Sequence, residues 1–444
     1  MKICLLIPDF LSGTSFLQQP LDYLYTASVL LSKKYDVSVL DCRVHHLSMA
    51  SMLEKIFLYD VIVVSTTPID QVQNYFLDYR YAYTIKTIDK IKLSYPQKVV
   101  IVYGAHVSAN SNLVTQDINA DFFIKGEIFI TLPALLDEIS NRCRYSEIPN
   151  IIFKKGKDYV HTKYDESSYH PAIPDDIFPS YDLIDMSQYF GDYYINNIPL
   201  KKQNRVVAYG GRGCPFACTF CHNFFGGKVN YRSPKSVATE LKVCHNKYGV
   251  DDVFFLDEVF TLNKQWVHEL RRELELNNLK MELTIQTRVD CVDNDILDDL
   301  VAMGVKNIWL GMESMNDRIL TVMNKKITTK MILDCIDAVR MVNIQPHVFF
   351  MVGVEGENSQ TIYQLLKSVA ELNIPYTRSV MICTPRYGTT YYEHARSQYS
   401  DIRNWFDLNR IKGLVGNEMT PSLLLKAKKI LKSRMIDISK WDKC

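Results

Sequence analysis

The feature that most constrains this chain is an alternation, in two successive series, of short apolar runs with longer helical stretches. The first series has five runs rich in Val, Ile and Leu. They are KICLLIP near Ile3, DVSVLD ending at Asp41, VIVVST ending at Thr66, VVIVYG ending at Gly104 and DFFIKG ending at Gly126. Strands that alternate with helices form parallel sheets, and continuous apolar runs indicate strands covered on both faces. The first series therefore predicts an open, doubly wound, Rossmann-like α/β sheet.

The second series has six such runs. They are RVVAYG ending at Gly210, DVFFLD ending at Asp257, MELTIQT ending at Thr287, NIWLGM ending at Met312, HVFFMVG ending at Gly353 and RSVMICT ending at Thr384. Six strand-helix units predict a partial (β/α)6 barrel, because a closed barrel of eight units would need more chain. Between these runs, Ser233, Asp293 and Thr328 are predicted to begin helices, and Gly304 to end one.

The chain is long enough for about three structural units at roughly 150 residues each, and it has 444 residues. We expect a first domain over 1–142 and a barrel over 203–390. The segment 143–202 is rich in Pro, Tyr and Asp and is predicted to connect the two. Residues 391–444 are predicted to form a short, mostly helical cap.

Charge and cysteine usage limit the partners and the compartment. Lys plus Arg is 51 and Asp plus Glu is 50, so the formal net charge of +1 gives no general attraction to nucleic acid. No run reaches the roughly 18 apolar residues of a membrane helix, and the first ten residues lack a signal-peptide cleavage site. Most of the 11 Cys are isolated in apolar runs, as in a reducing compartment. We expect a cytoplasmic protein without a membrane span or a nucleic-acid partner.

The strongest chemical signal is GGRGCPFACTFCHN, which follows the first strand of the predicted barrel and contains Cys214, Cys218 and Cys221. Catalytic groups of strand-helix barrels come from loops at the carboxyl ends of the strands. Three thiolates can hold three irons of a 4Fe-4S cluster and leave the fourth iron open, which a catalytic metal centre requires. Two alternatives are a zinc site, for which the adjacent His222 is poorly placed, and a redox disulfide, which would need only two of the thiols.

The cysteine triplet resembles the signature of the radical S-adenosylmethionine superfamily, with Phe220 before the last Cys. Further stretches match successive elements of that family's barrel between Arg205 and Tyr392. They are YRSPKSVATEL, FLDEVFTLN, TRVDCVD, LGMESMNDRIL and MVGVEGEN. The resemblance implies a 4Fe-4S cluster, S-adenosylmethionine and a one-electron reductant such as flavodoxin or ferredoxin. In the family, reduction of the bound S-adenosylmethionine gives a 5′-deoxyadenosyl radical.

The resemblance also implies roles for residues at successive strand ends. Asp257 and Glu258 are expected to hold the methionine amino group, and Arg288 its carboxylate or the ribose. Glu313 and the residue after it would contact the ribose or the amino-acid end, and Gly353 would let the backbone approach adenine. The whole expected S-adenosylmethionine set is Phe220, Asp257, Glu258, Arg288, Glu313, Ser314 and Gly353.

The first domain resembles the cobalamin-binding domain that precedes the barrel in one large subclass of this family. The matching pieces include GAHVSA at Gly104 and FFIKGEIFITLPALLDEI. The cobalamin-binding residues that this implies are Ser65, Thr66, Thr67, Gly104, Ala105, His106, Gly126 and Glu127. The chain has no Asp-x-His-x-x-Gly sequence, so no conventional histidine is available to bind cobalt from below.

These resemblances imply a cobalamin-dependent radical enzyme that acts on an unactivated carbon of a small molecule or peptide, and a C-methyltransferase is the leading hypothesis. The same layout supports cyclisation, rearrangement, oxidation and carbon-carbon bond formation, because a fold does not fix a reaction. A second hypothesis is a radical enzyme without bound cobalamin. A third, from another class, is a noncatalytic iron-sulfur or zinc scaffold.

Overall fold

The computed structural model describes all residues except 10–16, 67–77, 142, 192–193, 196–197, 200–203, 224–226, 373–377, 399–417, 433–440 and 442–444. The chain forms two compact units. The first comprises Met1–Phe190 with Phe224–Gly226 and Asn230–Arg232, and the second comprises Gly191–Asn223, Gly227–Val229 and Ser233–Cys444.

The first unit contains a seven-stranded sheet in the order β2-β1-β3-β4-β5-β6-β7. Its strands are β1 Lys2–Ile7, β2 Asp36–Asp41, β3 Val61–Ser65, β4 Val99–Tyr103, β5 Phe122–Ile124, β6 Ile151–Lys155 and β7 Asp158–His161. The five predicted strands are all present and pair in parallel. The doubly wound α/β fold predicted for this part of the chain is confirmed.

The last two strands of this sheet come from the segment that the sequence predicts to be a connector. β6 pairs antiparallel with β5, and β7 pairs antiparallel with β6. Gly156, at φ 66, lies in the two-residue turn between β6 and β7. Two-residue hairpin turns require such a left-handed conformation, so the glycine was the local signal for this hairpin.

Helices cover the sheet of the first unit on both faces, as in doubly wound folds. They are α1 Leu21–Ser32, α2 Met49–Ile56, α3 Asp78–Ser94, α4 Ala105–Ala109, α5 Ser111–Asp117, α6 Ile128–Asn141 and α7 Glu166–Tyr169. The core joins strand residues such as Leu5, Val63 and Ile101, which are fully buried, to apolar residues of α1 and α6. Burial on both faces explains why these strands read as continuous apolar runs.

The second unit contains a six-stranded, wholly parallel sheet in which spatial order follows chain order. Its strands are β10 Arg205–Ala208, β13 Asp252–Phe255, β14 Glu282–Thr287, β15 Val305–Glu313, β16 Gln345–Val352 and β17 Arg378–Ile382. Two-residue strands are β8 Tyr194–Ile195, β9 Ile198–Pro199, β11 Gly211–Arg212 and β12 Asn230–Tyr231. Strands that stay in chain order around a parallel sheet define the partial barrel, so this prediction is also confirmed.

The helices that follow these strands begin and end largely where the sequence predicts. They are α8 Pro234–Tyr248, α9 Lys264–Leu276, α10 Asn294–Met303, α11 Asp317–Val322, α12 Thr329–Met341, α13 Ser359–Glu371, α14 Thr390–Gln398 and α15 Pro421–Lys432. Ser233, Asp293 and Thr328 each accept a first-turn N–H at a helix start. Gly304 ends α10 at φ 90. None of the described helices is both long enough and apolar enough to cross a membrane.

Candidate active site

The three clustered cysteines lie in the loop that follows β10, at the carboxyl end of the parallel sheet. All three thiols are free, with Cys214 and Cys218 partly exposed and Cys221 exposed. Partial burial raises the pKa of Cys214 above its ordinary value. The loop therefore presents three unpaired thiols at the sheet edge where barrel enzymes place their chemistry.

Two carboxylates from the next strand end hold the start of this loop. Asp257 accepts N–H groups from Gly210 at 2.9 Å and from Gly211 at 2.6 Å, one on each carboxylate oxygen. Glu258 accepts the Gly213 N–H at 3.0 Å. Asp257 is 2% exposed, and burial raises its pKa to about 7 although both hydrogen bonds oppose this. Asp257 therefore supports the loop, while the partly exposed Glu258 lies closer to solvent.

Glycine is required at two positions of the loop. Gly213 has φ 109, and a Cβ there would lie 2.2 Å from the carbonyl oxygen of Lys228. A Cβ on Gly210 would lie 2.3 Å from the indole ring of Trp266. These close approaches leave no room for a side chain, which explains the density of glycine before the first cysteine.

The segment Val322–Lys325, here called the bracket, fixes the middle of the cysteine loop. Thr219 donates its N–H to the Met323 carbonyl at 3.0 Å, and Asn324 donates its side-chain N–H to the Ala217 carbonyl at 2.6 Å. Asn324, inside the bracket, has φ 51, and Lys326, the residue directly after the bracket, has φ 56. Left-handed non-glycine residues are uncommon and concentrate at functional sites. The bracket is thus a locally strained segment that orients the residue between them, Lys325.

Lys325 forms a buried ion pair with one of the predicted site residues. Its Nζ lies 3.2 Å from Oε1 of Glu313, and the two residues are 5% and 8% exposed. A register shift in the pairing of β15 and β16 precedes Glu313, which has φ 67. Lys325 Nζ also lies 5.9 Å from the ring centroid of Phe220, and Ser314 is buried beside Glu313. The bulge and the strained segment together place a charged pair next to the cysteine loop.

Arg288, at the end of β14, also reaches the cysteine loop. Its guanidinium lies 3.7 Å from the ring centroid of Phe216, and its Nη1 lies 3.8 Å from Sγ of Cys218. Asp290 accepts from Nε and Nη2 at 2.8 Å each. The arginine is therefore fixed against the loop by an aromatic ring and a bidentate carboxylate.

The turn after β16 is closed by a buried carboxylate. Gly353 has φ 83, and Glu357 accepts the N–H groups of Gly353 and Val354 at 2.5 and 2.9 Å. Glu357 is 1% exposed, and burial raises its pKa to about 7 although both hydrogen bonds oppose this. Glu357 fixes the backbone at Gly353, the position predicted to approach adenine.

The donor set of the loop fits a cluster better than a single ion. Among the described residues, no three His, Cys, Asp or Glu side chains converge as one metal ion would require. A 4Fe-4S cluster does not need such convergence, because each thiolate binds a different iron. His222 pairs its Nδ1 with the carbonyl oxygen of Tyr387 at 2.6 Å, so this ring nitrogen is already engaged. The three thiols would hold the cluster, as the sequence predicts.

A second candidate site lies in the first unit, at the carboxyl ends of β3, β4 and β5, which are neighbours in the sheet. The residues predicted there are Ser65, Thr66, Gly104, Ala105, His106, Gly126 and Glu127, while Thr67 lies outside the described residues. Ser65 is 4% exposed, and in the described part of the chain its hydroxyl has no hydrogen-bond partner. Buried hydroxyls are normally satisfied, so an orphaned one at a ligand-binding edge fits a polar ligand.

Close backbone packing and aromatic stacking shape this edge. Gly104 has φ 113 and Gly126 has φ 75, and a Cβ on Gly126 would lie 2.4 Å from the Tyr169 carbonyl. His106 stacks on Tyr81 at 4.5 Å between ring centroids, and burial lowers its pKa to about 3. The histidine is therefore neutral. Glycine turns, and a hydroxyl that has no partner among the described residues, fit the nucleotide tail of a corrinoid at this sheet edge.

Lys325 and Asp290 are among the residues of the second-unit site that were not predicted from the sequence. Lys325 is one of two adjacent lysines, and nothing local marks it as buried. Asp290 follows Arg288 by two residues, and this spacing could have suggested an ion pair. Both become visible only when the strand ends are brought together.

Comparison with known proteins agrees with this geometry. Residues 209–369 match the model of the Radical SAM superfamily. An uncharacterized methyltransferase of Pyrococcus horikoshii is 27% identical over 408 residues, which cover 89% of this chain and 83% of that protein. An anaerobic magnesium-protoporphyrin IX monomethyl ester cyclase of Synechocystis sp. is 26% identical over 301 residues, covering 66% of this chain and 58% of that protein.

A solved structure has a similar fold across both units. It is the radical S-adenosylmethionine methyltransferase TsrM from Kitasatospora setae with cobalamin and a 4Fe-4S cluster bound. The TM-score is 0.74 at 16% identity, and the match covers 91% of this chain and 79% of that chain. The part of the chain that matches the Radical SAM superfamily contains the cysteine loop and most of the partial barrel. The fold of the chain is similar to that of a cobalamin-bound radical S-adenosylmethionine enzyme.

Proposed function

We propose that this protein is a cobalamin-dependent radical S-adenosylmethionine C-methyltransferase that acts on an unactivated carbon of a small molecule or peptide. The observation that carries the proposal is the loop of three free thiols, fixed by Asp257, Glu258 and the bracket at the carboxyl edge of the partial barrel. The cluster, S-adenosylmethionine and cobalamin would supply electron transfer, a carbon radical and a methyl carrier. The protein supplies binding, orientation and charge.

The residues of the second unit suit the charged ends of S-adenosylmethionine. Glu258 is a partly exposed carboxylate beside the cysteine loop, and a carboxylate accepts charge-assisted hydrogen bonds from an ammonium group. Glu313 and Lys325 form a buried pair of opposite charges next to Phe220. The ammonium group of Lys325 would bind a carboxylate, and the carboxylate of Glu313 would accept hydrogen bonds from hydroxyl groups. The turn fixed by Glu357 would present the backbone of Gly353 to the adenine ring.

The methyl-transfer assignment is supported by the methyltransferase names of the Pyrococcus relative and of TsrM, and by the ligand edge of the first unit. Oxidative ring closure is the second candidate, because of the similarity to the Synechocystis cyclase. The free thiols and an oxygen-sensitive cluster favour the cytoplasm as the compartment. An electron donor of the flavodoxin or ferredoxin class would be the protein partner.

The test is anaerobic purification, followed by reconstitution with iron, sulfide and hydroxocobalamin. Wild type is expected to hold about four irons and about one corrinoid per chain. A triple Cys214→Ala, Cys218→Ala, Cys221→Ala variant should lose the iron. Incubation with S-adenosylmethionine and a chemical reductant should then yield both 5′-deoxyadenosine and S-adenosylhomocysteine.

Each outcome points to one function. Both products together support methylation, because S-adenosylhomocysteine records loss of the methyl group. 5′-Deoxyadenosine without S-adenosylhomocysteine would favour ring closure or another radical reaction over methylation. A protein that binds zinc or no metal would contradict the whole proposal.

A further inference from the structure

The side chain of Arg288 has a role that its predicted contact with S-adenosylmethionine does not explain. The residue is 4% exposed, and its Nη1 lies 3.8 Å from Sγ of Cys218, a distance at which an N–H donates to sulfur. Cys218 is one of the three thiols assigned to the cluster. The guanidinium therefore faces an iron ligand directly.

Three further contacts hold the guanidinium in this position. Asp290 binds Nε and Nη2 at 2.8 Å each, and the carbonyl oxygen of Lys325 accepts from Nη2 at 2.5 Å. The Phe216 ring covers one face at 3.7 Å from its centroid. With Nε and Nη2 engaged, Nη1 remains directed at the sulfur. Reorientation toward a ligand would break several of these bonds at once.

The charges around the sulfur favour the reduced cluster. An arginine guanidinium stays protonated at any working pH. Asp290 binds the side of the guanidinium away from Nη1, and its side chain is 17% exposed, so water screens it more than the arginine. Reduction adds one electron and hence one negative charge to a cluster. A fixed positive charge and an N–H···S bond both stabilise the form with more negative charge.

We propose that Arg288 is a positioning residue that donates to Sγ of Cys218 and raises the reduction potential of the cluster. The higher potential brings the cluster closer to the range of a flavodoxin- or ferredoxin-class donor, which supplies the electron. The inference rests on the proposed function only in requiring that the cysteine loop holds a cluster. The expectation that Arg288 contacts the methionine carboxylate or the ribose stays a prediction.

The experiment compares wild type with Arg288→Gln and Arg288→Lys after anaerobic reconstitution. The control is Arg272→Gln, which removes one positive charge from an exposed position on α9. Iron and sulfide are quantified first, and the cluster potential is then measured by redox titration monitored by electron paramagnetic resonance. Arg288→Gln should keep its iron and shift to a more negative potential. At a fixed ambient potential its ratio of reduced to oxidised cluster should fall roughly tenfold.

Arg288→Lys keeps the charge but loses the planar fork, so its potential should lie between those of wild type and Arg288→Gln. Arg272→Gln should match wild type. Equal potentials in all four proteins would overturn the inference while leaving the proposed function intact. Loss of iron from both Arg288 variants would also overturn it, because the arginine would then retain the cluster rather than tune it. A wild type without a cluster would instead refute the proposed function.

Discussion

At the residue scale, the second unit relies on buried carboxylates that accept backbone N–H groups. Asp257 and Glu357 each bind two N–H groups at a strand end that the family resemblance assigns to cofactor binding. Each is nearly inaccessible, and burial raises the pKa of each to about 7. These carboxylates stabilise the loops that present other groups.

The pH dependence of stability should report on Glu357. Its folded-state pKa of about 7 lies above its ordinary value of 4.5, so the folded state binds more protons between these values. The contribution of Glu357 to stability should therefore be fully present below about pH 4.5, fall as the pH rises toward 7, and be lost above it. The full effect is at most roughly 3 kcal/mol.

Urea unfolding of the apo protein at several pH values, followed by tryptophan fluorescence, measures this effect. The variant Glu357→Gln keeps an amide oxygen that can accept both N–H groups but does not titrate. Its stability should decline less than that of wild type between pH 5 and 7, and the remaining decline comes from Asp257, whose pKa is also raised to about 7. An identical decline in the variant would assign the titration to another group.

Asp257 should tolerate no neutral replacement. In Asp257→Asn the amide nitrogen replaces one of the two accepting oxygens and faces either the Gly210 or the Gly211 N–H. That buried N–H then has no acceptor, which costs roughly 1–3 kcal/mol. We expect a lower unfolding temperature of the apo protein and reduced iron after reconstitution. The exposed Asp295→Asn in the first turn of α10 is the control and should change neither. Full iron content in Asp257→Asn would show that the loop does not depend on this carboxylate.

At the scale of elements, the cysteine loop is a strand-to-helix connection fixed from two sides. The end of β13 holds its first residues, and the bracket before α12 holds its middle. The sequence predicted the strand, the loop and the start of α8, because caps and apolar runs are local signals. It could not predict the bracket, since residues 322–325 meet the loop only after about a hundred residues of intervening chain fold.

Two glycines of this loop should respond differently to alanine. A Cβ on Gly213 would meet the Lys228 carbonyl at 2.2 Å, and its φ of 109 is strained for any side chain. At Gly227, no atom of the described residues lies within 4 Å of the position that a Cβ would take, and φ is not left-handed. Gly213→Ala should therefore lose most of its iron, whereas Gly227→Ala should retain about four irons per chain. Iron and sulfide analysis of the two reconstituted variants checks this, and equal iron contents would contradict it.

At the scale of the whole molecule, the chain consists of two compact units that each have a parallel sheet and a ligand edge at the carboxyl ends of the strands. Separate cores should make the two proposed cofactors separable by mutation. The triple cysteine-to-alanine variant should lose iron and keep its corrinoid. Ser65→Ala should keep its iron and bind hydroxocobalamin several-fold more weakly, through loss of one hydrogen bond.

Ser65→Ala should weaken cobalamin binding without lowering the stability of the apo protein. Because the Ser65 hydroxyl is buried without a partner among the described residues, its removal should leave the apo protein equally stable or slightly more stable. Equilibrium dialysis against hydroxocobalamin and thermal unfolding measure the two effects. Loss of both affinity and stability would show that the hydroxyl acts in the fold and not on a ligand.

The sequence by itself determined the parallel strands of the two sheets, most helix starts and the cysteine loop, because these depend on apolar periodicity, capping residues and short spacings. The tertiary structure alone decided what the charged residues at the strand ends do. It turned Asp257 toward two backbone N–H groups, paired Glu313 with Lys325 and fixed Arg288 against Cys218. A carboxylate or guanidinium takes whichever partner lies within about 3 Å, and that partner comes from a distant strand. Only the folded sheet brings such partners to one edge.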